Sequence, residues 1–164
     1  MKQHMIIQTE TKSPIHFNDL NEYQKQACRF PTKLLFRQGE AIDSLCVEYN
    51  KQKLSQHGTT TEGHPIQFAL STGTYITKIK GITKDYWNDK FILSLIFTTN
   101  TGQEFGLPDN AKQYNNGTSF EFKLPEGMAV TCFFGTFSHP YDYRKKQDNV
   151  LLLSSLGIYY DKIN

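Results

Sequence analysis

Apolar residues recur at every second position over most of this chain, and that period constrains its fold more than any other feature. A period of two puts alternate side chains on one face of an extended strand, whereas an amphipathic helix needs a period near 3.6. The alternating stretches are 45–49, 66–70, 91–98, 120–124, 130–134 and 156–160. In 91–98 one side is wholly apolar and the other carries Ile92 and Ile96 beside Ser94 and Thr98, which predicts a strand covered on both faces.

Turn-forming residues separate several of these stretches. They are Asn100-Thr101-Gly102, Asn116-Gly117 and Pro125-Glu126-Gly127. Strands that recur about every ten residues with such turns predict an all-β sandwich, barrel or prism. One polar segment departs from the pattern and predicts a short helix over 20–28, capped by Asn18 or Asp19.

Length and charge narrow the class of protein. The 164 residues suffice for one domain with one core, so we predict a single domain over 1–164. A net charge of +2 and a pI near 8.3 do not favour a nucleic-acid partner. No run approaches the roughly 18 apolar residues of a membrane span. The first residues lack a signal-peptide core, which predicts either a cytoplasmic protein or an excised domain of a secreted one.

The residues that often carry chemistry form no strong motif. Cys28, Cys46 and Cys132 have no CxxC spacing and are predicted to be small apolar side chains rather than a disulfide framework or zinc site. His57, Glu62 and His64 lie close in sequence, but glycines beside them predict a solvated turn. Neither a phosphate-binding loop nor a nucleophile elbow is present. We therefore predict no enzyme activity, no cofactor and no metal.

The sequence feature most informative about function is a pair of aromatic residues flanked by polar residues in a predicted loop. Tyr86 and Trp87 lie between Asp85 and Asn88, in a connection between two strand patterns. Sugar recognition uses an aromatic ring against C–H groups and carboxylate or amide groups for hydroxyls. The alternative is that Trp87 merely covers the end of a sheet.

The order of several segments resembles the jacalin-related lectins. The segments are GEAIDSLCVEYN (39–50), GHPIQFALSTGTYITKIKG (63–81), ILSLIFTTNTGQEFG (92–106), SFEFKLPEGMAVTCFFG (119–135) and LLSSLGIYY (152–160). The resemblance spans 39–160. It implies a β-prism of three antiparallel sheets with about four strands each. It also implies binding of mannose- or galactose-type sugars by loops at one end of the prism, without metal and without catalysis.

The sequence departs from the family pattern at the implied sugar site. No glycine precedes Gly39, so the family's glycine-rich N-terminal turn is missing. Ser154 stands where the family has an aspartate, and a predicted inserted loop over 136–151 offers Asp142 as a substitute carboxylate. A serine lacks the two acceptor oxygens of a carboxylate. The predicted carbohydrate-binding residues are Asp85, Tyr86, Trp87, Asn88, Gly135, Asp142, Leu153 and Ser154.

These observations predict a lectin module whose partner is a glycan or glycoprotein. The alternative is a protein-interaction module that kept the prism and lost the sugar site. The missing glycine turn and aspartate favour the alternative, and the loop aromatics favour the lectin. The sequence leaves the oligomeric state open, a homodimer included.

Overall fold

The computed structural model describes residues 1–86, 89–107, 117–140 and 150–164, with Tyr86 described for its backbone alone. Trp87, Asn88, Asn116 and Asp142 lie outside the described residues, so the predictions that involve them stay predictions.

Strands dominate the described residues, as the period of two predicts. In chain order the elements are β1 Lys2–Ile7, β2 Ile15–Asn18, α1 Leu20–Tyr23, β3 Lys33–Gln38, β4 Ile42–Tyr49, β5 Gln52–Lys53, β6 His57–Gly58, β7 His64–Ala69, β8 Ile76–Tyr86, β9 Asp89–Thr99, β10 Glu104–Leu107, β11 Thr118–Lys123, β12 Met128–Ser138 and β13 Leu152–Lys162. Each predicted alternating stretch lies in a strand, with ends that differ by a residue at 70 and 124. No helix in the described ranges is long and apolar enough to cross a bilayer.

The strands form three sheets, which confirms the predicted β-prism. The first sheet has the order β1-β13-β12-β2, the second β10-β9-β8-β11, and the third β5-β4-β3-β7 with β6 added beside β4. Neighbouring strands in all three sheets are antiparallel. β8 and β9 are eleven residues each and span the second sheet from one end of the prism to the other.

One core lies where the three sheets face each other. Phe97 of the second sheet contacts Phe36 of the third, with ring centroids 5.8 Å apart, and Phe133 of the first, at 6.3 Å. All three rings are buried. Aromatic rings at these separations add to the free energy gained by burying their area. The core therefore joins all three sheets through alternate residues of their strands.

β9 is covered on both faces near its start, as predicted. Phe91 and Leu93 pack in a second small cluster with Val150, just before β13, and with Leu152 at the start of β13. Ile92 and Leu95 belong to the main core. This second cluster fixes the start of β9 against the start of β13. Both strands begin at the same end of the prism.

The predicted helix over 20–28 is wrong in its length, since α1 ends at Tyr23. The Cys28 N–H donates to Oε1 of Gln26 at 2.8 Å, so a local side-chain bond replaces the helical pattern there. Asp19 occupies the N-cap position, and Oδ1 of Asn18, one residue earlier, accepts the Leu20 N–H at 2.9 Å. Asp19 makes no side-chain cap bond, because its carboxylate bonds His57 instead.

Candidate functional site

Three chain connections leave the sheets at one end of the prism, which we call the β12–β13 end. They are residues 8–14 between β1 and β2, the β8–β9 junction, and residues 139–151 between β12 and β13. The Lys12 N–H lies 3.5 Å from Oδ2 of Asp89, and Oγ1 of Thr11 lies 2.5 Å from Oγ of Ser138. The 8–14 connection therefore contacts the start of β9 and the end of β12.

Buried hydroxyl groups form a network beneath this end. Oγ of Ser154 lies 2.7 Å from Oγ1 of Thr136 and 2.8 Å from Oγ of Ser138. Ser138 in turn contacts Thr11, so four hydroxyls are linked. Ser154 is fully buried. Its hydroxyl serves to hold β12, β13 and the 8–14 connection together.

The 8–14 connection is also bonded directly to β13. Oγ1 of Thr9 donates to the Ser154 carbonyl at 2.7 Å, and the Thr9 N–H donates to Oγ of Ser155 at 3.1 Å. These bonds fix a segment that contains no glycine. Hydroxyl groups thus position the connection that in the implied family pattern is a glycine-rich turn.

Both sides of the 139–151 connection are anchored where the structure describes them. Oγ1 of Thr59 donates to the Leu151 carbonyl at 3.0 Å and accepts the Leu151 N–H at 2.5 Å. Nδ1 of His139 lies 2.9 Å from the Val150 carbonyl, which identifies it as the donor. The predicted boundary of the inserted loop at 136 is wrong, since β12 continues through Ser138 by pairing with β13.

Asp89 is a carboxylate at this end that the sequence alone did not single out as a contact residue. Its side chain is largely buried, and burial raises its pKa while the Lys12 N–H lowers it. The sequence signal that could have identified Asp89 is its position beside Trp87 and Asn88. That position does not reveal its contact with the 8–14 connection, because the contact joins residues 77 apart in the chain.

The predicted site residues occupy different surroundings. Asp85 is exposed near the end of β8, opposite Lys90, and Tyr86 pairs with Asp89 through the backbone. Leu153 is fully buried in the main core. Gly135 lies within β12, where a Cβ atom would stand 2.2 Å from the Ser155 carbonyl oxygen. The glycine therefore allows close approach of β12 and β13.

The three residues weighed as a metal cluster do not come together as one. Nε2 of His57 lies 2.6 Å from Oδ1 of Asp19, and its ring stacks on Phe17 at 4.5 Å. The predicted solvated turn is thus wrong for His57, because the buried Asp19 carboxylate holds it. Glu62 and His64 are exposed. Within the described residues no three His, Cys, Asp or Glu side chains are placed to hold a metal ion.

Two of the three cysteines are buried, as their alternation predicts. Burial raises the pKa of the Cys132 thiol to about 12 and raises that of Cys46 as well. Thiols with raised pKa values are protonated at neutral pH and are poor nucleophiles. All three cysteines are free, and Cys28 is half-buried.

Comparison with known proteins identifies the family. The model of the jacalin-like lectin domain matches residues 13–142. A search of curated proteins found no match. Artocarpin complexed with Me-alpha-mannose is 16% identical, with a TM-score of 0.67 and coverage of 98% of this chain and 97% of that one.

Two further solved structures share the fold. A mannose-specific jacalin-related lectin from Morus nigra, in complex with mannose, is 14% identical with a TM-score of 0.68, over 98% of this chain and 94% of its own. A mannose binding jacalin related lectin from Ananas comosus is 19% identical with a TM-score of 0.65, over 98% and 97%. The match to the domain model covers most of the sequence, and the three-sheet architecture agrees with it. This chain belongs to the jacalin-like lectin domain family.

Proposed function

We propose that this chain is a non-catalytic carbohydrate-binding module that binds a mannose-type sugar at its β12–β13 end. The observation that carries the proposal is the contact of the 8–14 connection with the start of β9 and the end of β12, at one end of a jacalin-like prism. The mannose complexes of the structural neighbours support the choice of sugar.

The chemistry at this end suits a neutral sugar. Asp85 and Asp89 offer carboxylate oxygens that accept hydroxyl hydrogens, and Asn88 offers an amide. Trp87 supplies an aromatic face for the C–H side of the ring. Asp142, in the 139–151 connection, offers a further carboxylate acceptor. These roles follow from residue type and from the place of each residue in the chain.

Ser154, Leu153 and Gly135 have a supporting role in this proposal. The Ser154 hydroxyl is engaged with Thr136 and Ser138 and is therefore not offered to a ligand. Leu153 is buried in the core, and Gly135 permits close strand approach. They position the strands from which the binding connections leave.

A protein-interaction module is the second candidate. The observation that favours it is the engaged Ser154, which replaces the family's aspartate at a fully buried position. A prism that lost this carboxylate would retain its fold, because the hydroxyl network joins the same strands. The two candidates differ in whether the chain binds a free glycan.

The absence of catalysis is part of the proposal. The raised thiol pKa values of Cys46 and Cys132 disfavour a cysteine nucleophile. His57 is committed to Asp19 at 2.6 Å. We expect a bound glycan to be released unchanged.

A glycan array followed by fluorescence titration tests the proposal. Trp87 is the one tryptophan of the chain, so its emission reports on the β8–β9 junction. We expect methyl α-mannoside to shift that emission, with a dissociation constant on the order of millimolar, or about 4 kcal/mol. Trp87→Ala and Asp89→Asn should each weaken binding about tenfold or more, as measured by calorimetry.

The matched control is Glu104→Gln, an exposed carboxylate in the second sheet, which should bind like the parent. Failure of every glycan on the array to bind would contradict the lectin and favour the interaction module. Unchanged affinity of folded Asp89→Asn would remove Asp89 from the site.

A further inference from the structure

A second concave site lies at the opposite end of the prism, which we call the β7–β8 end. It is lined by residues 28–32, Asn50 and 70–75. β8 starts there at Ile76 and ends at Tyr86 beside the β12–β13 end. At about 3.3 Å per residue, the two ends are roughly 30 Å apart. A ligand at one end cannot contact the other.

A single threonine joins the chain segments that form this site. The Thr32 N–H donates to the Glu48 carbonyl and the Thr32 carbonyl accepts the Leu70 N–H, both at 2.9 Å. Oγ1 of Thr32 also accepts the Asn50 N–H at 2.9 Å. The end of β4, the end of β7 and the start of β3 are therefore held in one arrangement.

The 71–75 segment is held just as firmly by Asn100. Its Oδ1 accepts the Tyr75 N–H at 2.8 Å, and its Nδ2 donates to the Gly73 carbonyl at 3.1 Å. The hydroxyls of Ser71 and Thr74 bond each other at 2.9 Å. A binding site whose backbone is fixed before the ligand arrives loses less conformational entropy on binding.

Aromatic rings form one side of the site. Phe30 and Tyr75 meet edge to face with centroids 4.9 Å apart, and the Arg29 guanidinium lies 4.9 Å from the Phe30 centroid. Arg29 is itself paired with Asp161 at 3.6 Å and donates to the Lys162 carbonyl at 2.6 Å. Its charge is thus compensated within the chain, which makes the site suited to an uncharged ligand.

Several polar groups at the site remain available. Among the residues that the structure describes, the Asn50 amide, the Thr72 hydroxyl and the Tyr75 hydroxyl have no hydrogen-bond partner. Asn50 and Thr72 are exposed, and Tyr75 is half-buried. The concavity has a volume near 240 Å³. This is below the roughly 300–1,000 Å³ of pockets for drug-sized ligands, so it suits one small ring.

We infer that the β7–β8 end is a second binding site, for a single neutral sugar ring. Such a ring has apolar C–H faces that suit Phe30 and Tyr75, and hydroxyls that suit the free amide and hydroxyl groups. The inference rests on the contacts at this end and does not depend on the proposed function of the β12–β13 end. One chain with both sites binds two glycan branches.

The test is a titration followed by ¹H–¹⁵N NMR, with the methyl glycosides of mannose, glucose and galactose. Each is added to about 50 mM, well above the millimolar constants typical of affinities near 4 kcal/mol. We expect at least one glycoside to shift the amide signals of Asn50 and 71–75 in a saturable way. In the same spectra, the amide signals of residues 9–12 and 89–91 report on binding at the β12–β13 end.

Substitutions at the site should act on it alone. Tyr75→Leu removes the ring and is expected to raise the dissociation constant at the β7–β8 end about tenfold. Asn50→Gly keeps the left-handed backbone of this residue, whose φ is 48°, and removes the amide. Thr72→Ala removes one hydroxyl, and each of these two changes should weaken binding about fivefold. The control is Thr61→Ala, an exposed threonine outside the site.

The inference is overturned if none of the three glycosides shifts the amides of 71–75. It is also overturned if folded Tyr75→Leu binds as the parent does, or, should Tyr75→Leu not fold, if Thr72→Ala and Asn50→Gly both bind unchanged. Failure of the proposed function gives a different result. The amide signals of 9–12 and 89–91 would then keep their chemical shifts on titration, while those of 71–75 change.

Discussion

The buried carboxyl of Asp43 gives the sharpest prediction about stability. Asp43 lies in β4 with 5% of its surface exposed, and its Oδ2 atom has no hydrogen-bond partner among the described residues. Its pKa is raised from 3.8 to about 6, chiefly by burial and to a smaller extent by the negative charge of Glu62. The Gly39 N–H and the Arg37 charge act in the opposite direction without cancelling the effect.

The sign and size of the effect follow from this shift. The folded protein holds the Asp43 proton more tightly than the unfolded chain does, so this group favours folding most at low pH. Its contribution is lost as the pH rises from about 4 through about 6. A shift of roughly two pKa units corresponds to about 3 kcal/mol at 1.36 kcal/mol per unit. Above pH 7 the ionised, buried carboxylate lowers the free energy of unfolding by about that amount.

Asp43→Asn isolates this contribution because asparagine does not titrate. Urea unfolding of both proteins between about pH 4 and pH 8 gives the difference in their free energies of unfolding. We expect the variant to gain about 2–3 kcal/mol on the parent across this range. Any change in the bond from Gly39 adds a constant offset that does not vary with pH.

Asp161→Asn is the control, since the Asp161 side chain is 38% exposed. Its difference from the parent should vary little between pH 4 and pH 8. A pH-independent difference for Asp43→Asn would refute the reasoning, because the carboxyl would then titrate alike in the folded and unfolded chains.

Four other outcomes are expected. Phe97→Ala should lower the free energy of unfolding, measured by urea titration, by about 3–5 kcal/mol, because it leaves a cavity where the three sheets meet. Ser154→Ala should cost about 1–3 kcal/mol by leaving the buried Thr136 hydroxyl short of a partner, and equal stability would contradict the network. Gly135→Ala should lower the thermal midpoint, since its Cβ would meet the Ser155 carbonyl oxygen, and an unchanged midpoint would show that the strands can separate. Chelator treatment should leave glycan binding unchanged in calorimetry, and restoration of lost binding by zinc or calcium would contradict the metal-independent proposal.

The sequence by itself determined the class of fold. Alternation at period two placed Leu95 and Phe97 on one face of their strand, and both are buried, because successive side chains of a strand point to opposite sides. It also put Phe134 on the face of Val130 and Cys132, which is wrong: the register shift after Val130 makes Phe133 the buried ring. Pro125-Glu126-Gly127 marked the turn between β11 and β12, and Gly127 has a φ of 78° that glycine adopts readily. The order of the segments identified the prism among the possible all-β folds.

Residues of the β12–β13 end were predicted only by analogy and by residue type. Position 154 could be recognised as a serine in place of an aspartate, but its bonds to Thr136 and Ser138 depend on the register of β12 against β13. Register is set by many contacts along both strands, so one residue does not reveal it. The same holds for Asp89, whose environment depends on Lys12, which is 77 residues away in the chain.

The tertiary structure alone decided the partners of buried polar groups. Asp19 could cap a helix, and it bonds His57 across 38 residues because a buried carboxylate needs a strong partner. The β7–β8 end likewise unites Phe30, Asn50 and Tyr75, which no local pattern connects. Hydrophobic periodicity and turn formation depend on residues that are close together in the chain, so the sequence alone can predict them. Hydrogen-bond partners and concave sites arise where distant segments meet, and only the packed arrangement of the three sheets brings those segments together.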